Sequence, residues 1–454
     1  MTTKLQSHLS PGTCPGAKSP YIFLSQSLLF QNPDEYDWWH RAAPVLAQML
    51  SNADYNVDKQ YQYLTFLAHH VIPALGPSPE SPRYNLYRGV FDLEFSQNFQ
   101  QSGCIIRLAF IPASYLASVP GKDPFNRLSA PELLAKFAKV DGIEMDLRLY
   151  QQLAGDLALT KQEEGRLSRK SPLPPIFNTQ TGIALDLRKE GKMTVKLYTF
   201  LMGKSMATAT PVSTLALDAI KKIDRGTNLF QAGLQPIEAF LDASEGTPDQ
   251  MAFACPTSLN PRGMIQVGTD LVDISRTRFK LYLHECMLNV DRLAELWTLG
   301  GRLRERECPG IERGLEVLRQ LWDILQIHEG YHFPIAYATN AADSSITEQN
   351  GNIPTAAGQP KFLILNYEIH PSDPCPVPKV YFPLFGMTEN TVIDAMVAFF
   401  ERIGWTDHAS ISADMDSLLS PALDLDQATD VQFWLSFSYS AKTGPYTTVY
   451  YRGL

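Results

Sequence analysis

Apolar and polar residues alternate with a period of two in short segments spread along the chain, and with a period of three to four in the stretches between them. In residues 275–283, Arg276, Arg278, Lys280 and Tyr282 share one parity, while Thr277, Phe279, Leu281 and Leu283 share the other. Successive strand side chains point to opposite faces, so a strand here gathers its cations and its phenol on one side. The pattern recurs. Lys196 and Tyr198 alternate with Val195 and Leu197, and Lys379 and Tyr381 alternate with Val380 and Phe382. Arg107 stands in an apolar segment at 104–112, and Tyr446, Thr448 and Tyr450 share one parity near the C-terminus. A solvated sheet face would account for one such strand, but recurrence at intervals of about 70 to 100 residues has the look of an eroded internal repeat.

The stretches between predict helices. Residues 32–53 and 61–76 read as two amphipathic helices, the first capped by Asn32 or Asp34 and the second ending at Gly76. Helical periodicity returns at 129–159, 212–225, 235–242, 290–299, 311–327, 389–403 and 414–418. Paired strands are predicted at 86–95 and 104–112, 181–187 and 193–201, 264–269 and 275–283, 362–370 and 379–384, and 431–440 and 446–452. Lys189–Lys192 reads as a hairpin turn, 168–178 as a proline-rich connector and 341–360 as a long rim loop. Five helix–strand–strand–helix units result. Ten antiparallel strands with helices between the hairpins close economically as an α/β barrel, apolar strand faces under the helices and polar faces in the lumen. Residues 1–20 are expected to be a disordered tail and 21–454 one barrel domain.

Composition narrows the partners. Of the 454 residues, 44% are hydrophobic and 19% charged, the balance of a globular chain with a large core. No apolar run reaches the roughly 18 residues of a membrane span, and the N-terminus lacks a basic stretch followed by an apolar one, so a cytoplasmic protein without membrane contact is expected. The formal charge of −9 argues against nucleic acid and makes clustered cations more telling. The cysteines (Cys14, Cys104, Cys255, Cys286, Cys308, Cys375) form no CxxC pair and read as reduced packing residues.

The segments RTRFKLY, VKLY, PKVYFP, FDLEFSQNF and FSYSAKTGPYTTVYY together resemble the fungal aromatic prenyltransferases of the dimethylallyltryptophan synthase type, from about residue 21 to the C-terminus. The resemblance implies a ten-stranded αββα barrel with a central active site. It implies a transferase that moves a dimethylallyl group from dimethylallyl diphosphate to an electron-rich aromatic acceptor, an indole, in secondary metabolism. It also implies that Arg107, Lys196, Arg278, Lys280 and Lys379 hold the diphosphate, while Tyr198, Tyr282, Tyr381, Tyr446 and Tyr450 supply hydroxyl donors and ring faces. Glu94 would accept the hydrogen bond of the indole N–H. The family's tryptophan-specific members carry a lysine on the strand here represented by TGIALDLRK, but none occurs between Thr181 and Arg188, which puts free tryptophan in doubt. Where the family often has arginine, Lys442 is offered as a substitute.

The chemistry can be argued without the name. An allylic diphosphate ionises when fixed cations and phenols, or magnesium held by aspartates, stabilise the leaving group. The chain has no DDxxD; its acidic stretches at Asp414, Asp416 and Asp424–Asp430 read as turn or helix text, so no metal or other cofactor is expected. Tyrosine ring faces attract a carbocation by roughly 0.5–2 kcal/mol each without quenching it. Ile364 shares a strand parity with Asn366 and Glu368, which places it in the lumen as a limit on prenyl length. Two competing readings remain. His328–His332 satisfies the HExxH pattern of zinc hydrolases, although Gly330 within it and Pro334 beyond it should stop the helix that the pattern needs. A barrel that binds a small anion without reacting is the other. The chain is expected to work as a monomer or homodimer.

Overall fold

The computed structural model describes residues 19–81, 92–113, 122–168, 179–243, 264–285, 287–331, 362–414 and 424–452. Residues 1–18 of the predicted N-terminal tail, the proline-rich connector beyond Ser168 and the long rim loop at 341–360 lie outside these residues, while Ser19 and Pro20, expected in the tail, cap and begin the helix Pro20–Ser27.

Ten strands form the framework: β1 (Leu93–Gln100), β2 (Gly103–Phe110), β3 (Thr181–Leu187), β4 (Met193–Phe200), β5 (Met264–Asp270), β6 (Phe279–Glu285), β7 (Leu363–Ile369), β8 (Val377–Pro383), β9 (Gln432–Ser440) and β10 (Gly444–Arg452). Each is antiparallel to its neighbours in the chain, and β1 pairs with β10, so the sheet closes on itself. An additional two-residue strand, Ile143–Glu144, lies parallel to β4. Closure leaves no exposed barrel edge.

The period-two pattern decides the faces. Val195, Leu197, Phe279, Leu281, Val380 and Phe382 join the main hydrophobic core under the helices. Helix Pro33–Asn52 contributes Trp38, Trp39, Ala42, Ala43, Leu46 and Met49 to the same core. Its cap is Asn32: the side-chain oxygen accepts the Glu35 N–H at 3.0 Å, while its amide donates to the Glu35 carboxylate at 3.1 Å. Opposite-parity residues point away from this core, into the lumen, where Tyr198, Tyr282, Ile364, Tyr381, Trp434 and Tyr450 belong to a separate apolar cluster.

Several expectations need correction. The strand predicted at 275–283 begins only at Phe279; Arg276 lies in the preceding turn, exposed, and pairs with Glu144 at 2.6 Å. A turn interrupts the alternation there: the Arg276 and Thr277 N–H groups donate to the Asp273 carbonyl, the Ser275 N–H donates to the Asp273 carboxylate at 3.0 Å, and the Thr277 hydroxyl donates to the Asp270 carbonyl. Helical text at 129–159 divides into Ser129–Phe137 and Leu147–Leu157, because the chain turns between them through Gly142 at φ +85°. Of the helix expected at 414–418 only Asp414 is among the described residues, where it caps the helix Thr406–Ala413, which was not expected. Cys308 and Cys375, read as reduced packing residues, form a disulfide with Cα atoms 5.6 Å apart. Their separation of 67 residues concealed a contact that only the packing of the β7–β8 connection against the helix layer creates. Cys104 remains a buried free thiol.

Candidate active site

The strand register brings the predicted cations together, and it brings three carboxylates with them. Arg107 on β2 stands opposite Asp186 on β3 and donates through Nε at 2.5 Å. Lys196 on β4 lies 3.0 Å from Asp186 and 2.8 Å from Asp270, its register partner on β5. Asp270 also accepts from Arg278 Nε at 2.9 Å, and Arg278 Nη1 reaches Glu368 at 2.6 Å. Glu368 on β7 then faces Lys280 at 3.4 Å and Lys379 at 3.6 Å. The result is a belt of alternating sign around the lumen. Its five cations and three carboxylates carry a formal charge of +2.

Burial sets the electrostatics. Withdrawal from water alone would raise the carboxyls of Asp186, Asp270 and Glu368, but their cationic neighbours hold all three below the usual carboxylate range. Burial pushes the Lys280 ammonium well down, and like charge from Arg278 adds to the effect; Lys379 is lowered by burial against the pull of Glu368. An arriving anion would relieve both costs.

Beside the belt, rings form a continuous wall. Tyr198 and Tyr282 have centroids 6.1 Å apart, Tyr282 and Tyr381 6.1 Å, and Tyr381 and Tyr450 5.7 Å. Gly268 makes the first pair possible: a Cβ there would lie 3.1 Å from the Tyr282 ring and 3.3 Å from that of Tyr198. Burial raises the phenols of Tyr198, Tyr282 and Tyr381 and moves Tyr450 up to about 12, so all four remain O–H donors at neutral pH. The Asn366 side-chain amide donates to the Tyr381 hydroxyl at 3.0 Å. Tyr446 is differently engaged: its hydroxyl donates to Asn98 at 2.9 Å, it accepts from Arg107 at 3.4 Å, and Lys379 sits 4.1 Å from its ring centroid. Ile364 packs against this aromatic cluster, opposite Tyr381 in register.

Glu94, on β1, is half-buried and stands opposite Arg452 and Ala109. No described side chain hydrogen-bonds its carboxyl. Burial pushes that carboxyl up to about 8, against the opposing charges of Arg107 and Arg452. It is close enough to influence Tyr198 and Tyr450 electrostatically, which places it on the lumen side with the ring wall.

Sequence reasoning missed Asp186 and Asp270. Both lie on the lumen parity of their strands, opposite Arg107 and Lys196, and that signal was available in TGIALDL and MIQVGTD. His284 was missed as well; it follows Lys280 and Tyr282 on one parity, its ring 4.4 Å from Phe362, and burial moves it down to about 3. Lys442, offered as a substitute cation, is instead exposed in the β9–β10 turn. The HExxH reading loses its helix: Ile311–Leu325 ends at Gln326 with φ +48°, and Gly330 and Tyr331 form a short strand with Leu288 and Met287. Glu329 accepts from the Val290 N–H at 3.3 Å, and His332 lies outside the described residues. Among the described residues, no group of His, Cys, Asp and Glu could hold a metal ion. Asp424 and Asp430 accept backbone N–H bonds around turns, while Asp416 lies outside the described residues.

A closed antiparallel barrel wrapped in helices, with a cationic belt and a tyrosine wall sharing its lumen, defines the aromatic prenyltransferase class. The chain belongs to the tryptophan dimethylallyltransferase family, whose model matches residues 34–415. It is 43% identical to verruculogen prenyltransferase of Neosartorya fischeri over 99% of both chains, and 42% identical to the prenyltransferase UcdE of Aspergillus ustus over the full length of both. Among solved structures, the NotF prenyltransferase superposes with a TM-score of 0.80 at 32% identity, covering 96% of this chain and 99% of that one. NotF has also been solved with brevianamide F and the diphosphate analogue DMSPP, and that structure aligns with a TM-score of 0.77 at 31% identity over the same shares of the two chains.

Proposed function

We propose that this prenyltransferase joins the dimethylallyl group of dimethylallyl diphosphate to an indole acceptor larger than free tryptophan, without a metal ion. The carrying observation is the single lumen that combines the charged belt, the tyrosine wall and Glu94. Arg107, Lys196, Arg278, Lys280 and Lys379 bind the diphosphate and stabilise the charge that grows on it as its C–O bond breaks and the electron pair leaves with oxygen. Tyr198, Tyr282, Tyr381 and Tyr450 present ring faces to the allyl cation, which they stabilise without offering a strong nucleophile. Tyr446 keeps Arg107 and Lys379 in place through its hydroxyl and its ring.

On the acceptor side, Glu94 takes the hydrogen bond of the indole N–H and raises electron density on the ring. A ring carbon then bonds to the allyl carbon, and the proton on that ring carbon passes to a base, Glu94 or the released diphosphate, which restores aromaticity. Gly182 and Ala184 stand opposite Tyr198 and Lys196, on the lumen parity of β3. Where tryptophan-specific members of the family are expected to place a lysine, Ala184 carries only a methyl and Gly182 is covered by the Phe200 ring, 3.4 Å from where a Cβ would lie, so no lysine serves here and an acceptor other than free tryptophan, such as a tryptophan-containing cyclic dipeptide, is favoured. Brevianamide F, bound in the NotF complex, is one such candidate.

The test is turnover of dimethylallyl diphosphate in excess EDTA with brevianamide F, free tryptophan and simple phenols in parallel, read by mass spectrometry. Prenylated cyclic dipeptide above prenylated tryptophan supports the proposal. Loss of product on chelation overturns the metal-free step, and product from phenols alone overturns the indole acceptor.

A further inference from the structure

A site built only to grip diphosphate would hold its cations apart from anions. Here every one of the five meets a carboxylate. All three carboxylates bridge: Asp186 ties Arg107 to Lys196, and Asp270 ties Lys196 to Arg278. Glu368 completes the belt from Arg278 to Lys280 and Lys379. Like charges packed into a buried lumen repel one another, and a chain of alternating sign allows the empty site to keep its shape.

The contacts are unequal. Bonds to the two aspartates run from 2.5 to 3.0 Å, whereas Lys280 and Lys379 lie 3.4 and 3.6 Å from Glu368, beyond a close hydrogen bond. The arginines keep N–H groups that the acids do not use: Arg107 is bound to Asp186 through Nε, and Arg278 to its acids through Nε and Nη1. Carboxylates thus fix the cations while leaving donors for a ligand.

Charge balance adds a second consequence. When the C–O bond breaks, the leaving diphosphate gains one negative charge, so the cations hold the product more tightly than the substrate. In many enzymes product release limits turnover. Neutralising three of five charges weakens the grip on the product while keeping the geometry that stabilises its formation.

We propose that Asp186, Asp270 and Glu368 are positioning residues that hold the five cations in register and limit the charge gripping the departing diphosphate, so that release keeps pace with transfer. The proposal rests on the assignment of the belt as the diphosphate site. Its test is calorimetric titration of inorganic pyrophosphate into the full-length wild type, Asp270→Asn and Asp270→Glu, together with pre-steady-state and steady-state prenyl transfer.

Asp270→Asn should bind pyrophosphate at least tenfold more tightly, lower the KM for dimethylallyl diphosphate, and lower kcat with a burst of first-turnover product. Asp270→Glu should restore wild-type pyrophosphate affinity. Unchanged or weaker pyrophosphate binding in a folded Asp270→Asn overturns the proposal. If that variant does not fold, Asp186→Asn is read by the same criteria. Failure of both to fold while Asp270→Glu folds also overturns it, because the acids would then serve stability alone. A wild type that binds no pyrophosphate would instead reject the diphosphate-site assignment itself.

Discussion

Glu94 shows how a single side chain can be read at the scale of its own environment. Its carboxyl is raised from 4.5 to about 8, so it is mostly neutral at pH 7 in the free enzyme. Ionisation in the folded state is costly, and stability should therefore fall as pH rises from 4.5 through about 8, with the loss absent in Glu94→Gln. If the charged form is the one that polarises the indole, the acceptor's kcat/KM should rise about tenfold between roughly pH 7 and pH 9, and a flat profile would reject that role. Glu94→Gln should lower transfer about 10²-fold or more while pyrophosphate binding persists, a split visible by comparing kinetics with calorimetry. The belt residues differ in kind. Lys280→Ala removes a loosely paired ammonium and should slow transfer by the order of 10² with little change in melting temperature. Arg278→Ala leaves both Asp270 and Glu368 short of a partner, so it should lose activity and also about 3–5 kcal/mol of stability, measured by denaturant unfolding.

At the scale of elements, β7 carries three functions on one face: Ile364 against the rings, Asn366 on Tyr381, and Glu368 in the belt. Ile364→Gly should enlarge the chamber and raise the use of geranyl over dimethylallyl diphosphate, and an unchanged ratio in competition assays would show that Ile364 does not bound the chain. The connection from β7 to β8 is joined to the segment before helix Ile311–Leu325 by Cys308–Cys375, across 67 residues. Closing a loop of that length contributes about 4 kcal/mol in the chain-entropy account. Reduction by dithiothreitol should accordingly lower the melting temperature by several degrees, and Cys375→Ser should reproduce the shift and abolish the response to reductant.

For the whole molecule, closure is the governing event. Strands β1 and β10 pair over seven registered positions, from Glu94–Arg452 to Gln100–Tyr446, although they lie at opposite ends of the barrel sequence. We propose that residues 21–454 fold as one cooperative unit for this reason. Removing 441–454 should take away Tyr446 and Tyr450, expose two strand edges and replace a single sharp calorimetric transition with a broad one. A truncated chain that still melts sharply would show that the remaining nine strands are independently stable.

The alternation of apolar and polar residues located the strands, although the first runs Leu93–Gln100 where 86–95 was expected, and it set their two faces with the cations and phenols on the inner one, because burial under a helix layer selects side chains with a period of two regardless of what lies opposite. Lys196 with Tyr198, Lys280 with Tyr282, and Lys379 with Tyr381 could be grouped without coordinates for that reason. Their partners could not. Asp186 meets Arg107 across 79 positions and Glu368 meets Arg278 across 90, and only strand register and closure decide such pairs. Local order also escaped where side chains captured the backbone, as Asp273 did ahead of Phe279. Sequence thus supplied a lumen of cations and rings. Tertiary structure decided that the cations would be paired, that Glu94 would be raised and that Cys308 would find Cys375, since each depends on groups brought close by folding and on the water excluded around them.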